Sequence, residues 1–198
     1  MLESVLSLLL LAEIEKTQVA VQQKVDSYYA ANPPAQSYKY NITYDVSSRG
    51  TIKGSLDEFS RVVDATLQDP RGWIRAGVKF TRVQSGGRLH VILASGEQVR
   101  AAAPGGCSAE LSCTVFPLVL FNDDRWLYGT DSYTQAGLSL ADYRTMVINH
   151  EVGHFLGHDH LSSCVNGIAP VMLQQSTGLR GCKANSWPLN SELWVARH

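Results

Sequence analysis

The chain has 198 residues, 44% of them hydrophobic and 18% charged, with a formal net charge of −1. That length supports one well-packed core with a short appendage, and the composition excludes an intrinsically disordered chain. So small a net charge argues against binding nucleic acid or an anionic membrane through bulk electrostatics, and no nucleic-acid partner is expected.

Taken in order, Leu11, Ile14, Val21, Val25 and Tyr28 recur at helical spacing and predict one amphipathic helix over residues 4–30. Its apolar start, Val5 to Ala12, has the length of a signal-peptide core, but Glu3 precedes it and it is too short to span a bilayer. A truncated membrane anchor, a weak signal sequence and a packed helix all remain open, so membrane anchoring through this end is one expectation. Asn32-Pro33-Pro34 breaks the helix and divides the chain into an appendage, 1–37, and a main domain, 38–198.

Tyr40, Ile42, Tyr44 and Val46 alternate with polar residues, as in a half-buried strand. Ser55-Leu56-Asp57-Glu58 reads as a capping box opening a helix that turns Leu56, Phe59, Val63 and Leu67 inward and stops before Asp69-Pro70. Trp73 is expected to plug the core. Strands follow near 77–83 and 88–95, the second with Leu89, Val91 and Leu93 on one face and His90 on the other. Residues 98–111 read as a Gly- and Ala-rich loop, and 113–122 as one further strand running into Asp123-Asp124-Arg125-Trp126.

The next helix, from Leu138 to about Leu156 with Ser139 as its cap and Asp142 at the third position, carries the chemistry. His150 and His154 stand four residues apart, so both imidazoles leave one face and can share an ion. Glu151 lies about 100° round the helix, beside that ion, where the general base for an activated water belongs. Gly157 can take a positive φ, stop the helix and turn the chain back, which brings His160 up as a third nitrogen ligand. Three histidine ligands with an open fourth position describe a catalytic zinc site with one Zn2+. Ile148, Val152 and Phe155 form the opposite stripe and seat the helix. Asp159 is expected to orient a neighbouring histidine or to close the turn, and His158, between ligand positions, to lie at the surface.

Four cysteines, none in a C-x-x-C pair, suit two disulfides in an oxidising compartment and hence an extracellular or surface-anchored protein. Of three connectivities, Cys107–Cys113 with Cys164–Cys182 is favoured, because each closes a local loop flanking the motif helix. Reduced thiols in a cytosolic protein are the alternative. A role for Cys164 as a metal ligand is disfavoured, since three histidines already fit.

The run from His150 to His160, His-Glu-x-x-His-x-x-Gly-x-x-His, resembles the long zinc motif of the metzincin metallopeptidases. Metzincins also carry a methionine turn beneath the metal, and Ala169-Pro170-Val171-Met172 suits it, Met172 being the only methionine after the motif. Asp69 to Trp73, Tyr143 to His154 and Pro170 to Gln175 are similar to a bacterial family regarded as secreted zinc peptidases and known mainly as a domain of unknown function. That similarity runs from about Tyr40 to Pro188.

The resemblance implies an α+β fold of the α/β type, with a twisted mixed sheet of about four to five strands packed on the capped helix and the active-site helix. The irregular C-terminal part would carry the Met turn. It further implies that the strand before the active-site helix edges the cleft and pairs with extended substrate. The tyrosine that metzincins often place near the Met turn is missing after Met172. Two functions are therefore expected to compete. One is a monomeric zinc endopeptidase acting on peptide or protein substrates outside the cytoplasm. The other is a catalytically silent, zinc-stabilised extracellular binding module.

Overall fold

The computed structural model describes residues 38–196, and the helix expected over 4–30 lies outside them. β1 (Tyr40–Arg49) buries Ile42 and Tyr44 and exposes Asn41 and Thr43, the alternation its sequence predicts. α1 (Leu56–Gln68) starts at Ser55, whose side chain accepts from the Glu58 amide, and buries Phe59, Val63 and Leu67. Only half of the expected capping box forms. The Glu58 carboxylate turns away to pair with Arg144 at 2.8 Å. A 3-10 turn, Trp73–Ala76, sets Trp73 into the core with its indole N–H donating to the Asn149 carbonyl.

β2 (Val78–Arg82), β3 (Leu89–Ala94), β4 (Cys113–Val115) and β5 (Leu118–Asn122) complete a five-stranded sheet in the order β2-β1-β3-β5-β4. β1, β2, β3 and β5 run parallel, and β4 is antiparallel to β5 at the edge. This is the mixed sheet the sequence predicts, with two corrections. Residues 113–122 are two strands, because Phe116-Pro117 turns the chain between them. Pro117 has no amide hydrogen to give a ladder, so a continuous strand cannot pass through it comfortably. Only the first half, β4, lies on the edge. The loop expected over 98–111 also begins as a helix, α2 (Gly96–Ala102), which buries Val99.

Both faces of the sheet are covered. Leu89, Val91 and Leu93 of β3 join Val119 and Phe121 of β5 in the main core with α1, while Ile92, Ala94 and Leu120 meet Val99 and Cys107 on the other side. Burial on two faces explains why β3 reads as a nearly unbroken apolar run. Asp123-Asp124-Arg125-Trp126 opens α3 (Asp123–Tyr128), capped by Asn122. The Asp123 carboxylate accepts the Lys53 and Gly54 amides across the fold. A short α4 (Asp131–Gln135) leads to α5 (Leu140–Phe155), whose capping box of Ser139 and Asp142 forms in full.

α5 seats Met146, Ile148, Val152 and Phe155 in the main core. Burying such side chains stabilises by about 1.5–3 kcal/mol each, and the Arg144–Glu58 pair ties α5 to α1. Beyond α5 the chain is irregular apart from isolated bridges and a 3-10 turn at Asn190–Glu192. Disulfides Cys107–Cys113 and Cys164–Cys182 are both formed, as expected. Among the described residues no helix is long and apolar enough to cross a membrane.

A candidate metal centre

α5 ends where the motif requires. Phe155 is its last helical residue and Leu156 its cap, Gly157 has a φ of 100°, and the amides of Gly157 and His158 return to the carbonyls of His154 and Gly153. This paired 5→2 and 6→1 bonding is a Schellman cap, and its left-handed residue is glycine because a Cβ would oppose that backbone. The reversal carries His160 back to the face from which His150 and His154 project. Its Nε2 lies 3.3 Å from that of His150 and 3.0 Å from that of His154. The candidate ligand atoms of the three rings all lie within 4.8 Å of one another.

The tautomers follow from the outer partners. His150 Nδ1–H donates to the Val171 carbonyl at 2.8 Å, and His154 Nδ1–H to the His158 carbonyl at 2.7 Å. With hydrogens fixed on Nδ1, both Nε2 lone pairs face the common point. Burial holds the rings neutral: it pushes His150 down to about 3, with the nearness of His154 acting the same way, and also lowers His154 and His160. Three uncharged nitrogens turned inward fit a divalent ion, since ligands about 2.0–2.1 Å from zinc in a tetrahedron stand roughly 3.3 Å apart. Asp159 is exposed and acts on His154 and His160 only through its charge, while backbone carbonyls take the orienting role expected of it.

Met172 is fully buried beneath α5. A Cβ at Gly153 would collide with its sulfur and crowd Trp73, so this glycine lets the Met turn lie against the helix between the two ligand positions. Glu151, 5% exposed, faces β4. Thr114 Oγ1 lies 2.8 Å from its Oε2 and 2.9 Å from its carbonyl oxygen, so one hydroxyl proton serves both. Burial raises the Glu151 carboxyl to about 7, against a downward pull from Thr114. The three histidines, Glu151 and Thr114 line one cleft of about 380 Å³, with Val147, Phe116 and residues 174–177 on its other walls. None of its lining residues is a tyrosine.

Three contributors carry no local signal in the sequence. His158 is buried rather than at the surface. Its Nε2–H donates to the Trp194 carbonyl, and its ring lies 3.8 Å from that of Trp194 and 4.9 Å from that of Trp73. Glu192, 1% exposed, accepts from the amides of Val171, Met172 and Leu189. Burial raises its carboxyl and those three N–H groups oppose the rise. Thr114 is the third.

The fold and the centre together define a mixed α/β protein in which a three-histidine cluster, His150 buried and His160 at the surface, could hold a metal ion. The model of a family described as a protein of unknown function, DUF3152, matches residues 14–193, and the chain belongs to that family. No curated protein matches it in sequence.

Proposed function

We propose that the chain is a metzincin-like zinc endopeptidase acting outside the cytoplasm, free or held at the cell surface. The observation that carries this reading is the pairing, in one cleft, of a neutral histidine triad with a buried carboxyl, Glu151, held by Thr114. A binding cage needs the histidines but has no use for a carboxyl there. Zinc held by three histidines supplies an acidified water and a Lewis acid for the scissile carbonyl. Glu151 takes a proton on its carboxylate and returns it to the leaving amine. Its place in the cleft beside the three histidines suits it to both halves of that transfer.

The outer side of β4 offers an extended peptide a strand to pair with, one residue away from the hydroxyl that holds the base. Two disulfides in so small a protein support an oxidising compartment.

The test is cleavage of a proteome-derived peptide library with and without a chelator, repeated with Glu151→Gln. Hydrolysis is expected to need the metal and to fall by roughly 10²–10⁴-fold in the variant, with zinc uptake and folding retained. Zinc uptake without any cleavage would leave the silent binding module as the better reading.

A further inference from the structure

We propose that Glu192 is a positioning residue for the metal centre, strengthening His150 as a ligand through the single peptide group that joins Val171 to Met172. The two ends of that group have different partners. Its carbonyl oxygen, on Val171, accepts from His150 Nδ1 at 2.8 Å, and its N–H, on Met172, donates to Glu192 Oε1 at 2.9 Å. Peptide resonance couples the two ends, so a carboxylate at the N–H increases the electron density on the oxygen. A more basic oxygen draws the Nδ1 hydrogen harder and makes Nε2 of the same ring a better donor. A carboxylate bonded directly to a ligand histidine does the same in known zinc sites.

The rest of the carboxylate is fully used. Oε2 accepts from Val171 at 3.0 Å and from Leu189 at 2.8 Å, and the side chain is only 1% exposed. Three amide hydrogens converging on two oxygens select a carboxylate. A glutamine would turn an N–H group toward one of those donors. Little water screens a charge at this depth, so its polarising effect is strong. Glu192 lies outside the set of residues lining the cleft, so it acts through His150 and not on a substrate. His154 provides the internal contrast, because the carbonyl it bonds belongs to His158, away from the peptide that Glu192 engages.

The proposal rests on the three histidines holding a metal ion, and the experiment separates the two claims. In the full chain, Zn2+ affinity is measured by competition with a chromophoric chelator. The Nδ1–H resonances of His150 and His154 are recorded by 1H–15N NMR, for the unaltered protein and for Glu192→Gln. The variant is expected to fold, to bind Zn2+ about 10–100-fold more weakly, and to shift the His150 resonance upfield while that of His154 stays in place. Equal affinities within twofold, or resonances of the two rings moving together, would overturn the relay and leave Glu192 a mere prop of the loop. Failure of the unaltered protein to take up Zn2+ would overturn the metal reading beneath it. If Glu192→Gln does not fold, Glu192→Asp carries the test. It keeps the charge but is too short to reach both amides, and its Zn2+ affinity is expected to drop severalfold, unchanged affinity again overturning the proposal.

Discussion

At the scale of single residues, the candidate centre depends on side chains outside the three histidines. Thr114→Val removes the hydroxyl that aims Glu151 and leaves an isosteric methyl. If the chain is the peptidase proposed above, its turnover is expected to fall by about 10–100-fold with KM nearly unchanged, while Thr114→Ser retains most of it. Steady-state kinetics on one cleaved peptide would check this, and equal loss in both variants would argue that the strand, not the hydroxyl, matters. Gly153→Ala forces a Cβ against the Met172 sulfur and the Trp73 ring. It is expected to cost about 1–3 kcal/mol of stability, read from urea unfolding of the metal-free protein.

The four motif residues and Gly157 were legible in the sequence because one helix and one short reversal bring them together, and fixed spacings encode both. Thr114, His158 and Glu192 were not. Thr114 meets Glu151 from 37 residues away, His158 meets Trp194 from 36, and Glu192 meets Val171 from 21. No local period records such meetings.

At the scale of elements, the helix and strand patterns held wherever one face is buried and the other is wet. β1 and α1 are of that kind. The pattern failed over 96–102, where a seven-residue helix rich in alanine carries one buried anchor, Val99, and so has no stripe to recognise. It failed again at Phe116-Pro117, where the apolar run continues through a turn. The disulfides brace the two irregular stretches beside the centre. Cys164–Cys182 closes a separation of 18 residues, for which the chain-entropy model gives a stabilisation of about 3 kcal/mol. Cys164→Ser with Cys182→Ser is therefore expected to lower the unfolding midpoint clearly. A double variant as stable as the parent would show that the loop is held by its bridges to Leu173 and Lys183 instead.

At the scale of the whole molecule, the metal-free protein should be sensitive to acid. His150, His154, His158 and His160 all titrate below their ordinary value of 6.5, mainly through burial. Groups of this kind stay neutral in the fold while the unfolded chain takes up protons. Their stabilisation is complete above 6.5 and is lost as pH falls toward the folded values, about 3 for His150. Glu151 and Glu192 are raised and act in the opposite sense, gaining stability as pH falls to 4.5; below 4.5 that gain is complete and only the histidines go on losing stability. Denaturant unfolding in a chelator is expected to change little between pH 7 and 4.5, where the two senses oppose, and then to show stability falling by about 2 kcal/mol from pH 4.5 to 3. A flat profile over that last interval would mean that these rings are wetter than the fold implies.

The segment from Leu189 to Ala196 has a consequence for the order in which the molecule is finished. It grips the Met turn through Glu192, the motif loop through Trp194, and the end of α5 through the amide of Ala196. A polypeptide emerging from the ribosome therefore has every strand of its sheet in hand before the clasp behind His150 exists. Nascent chains arrested just short of residue 189 should already protect their strand amides from exchange, yet capture zinc poorly. Competence would arrive with residues 189–196, once Glu192 reaches the Val171–Met172 peptide.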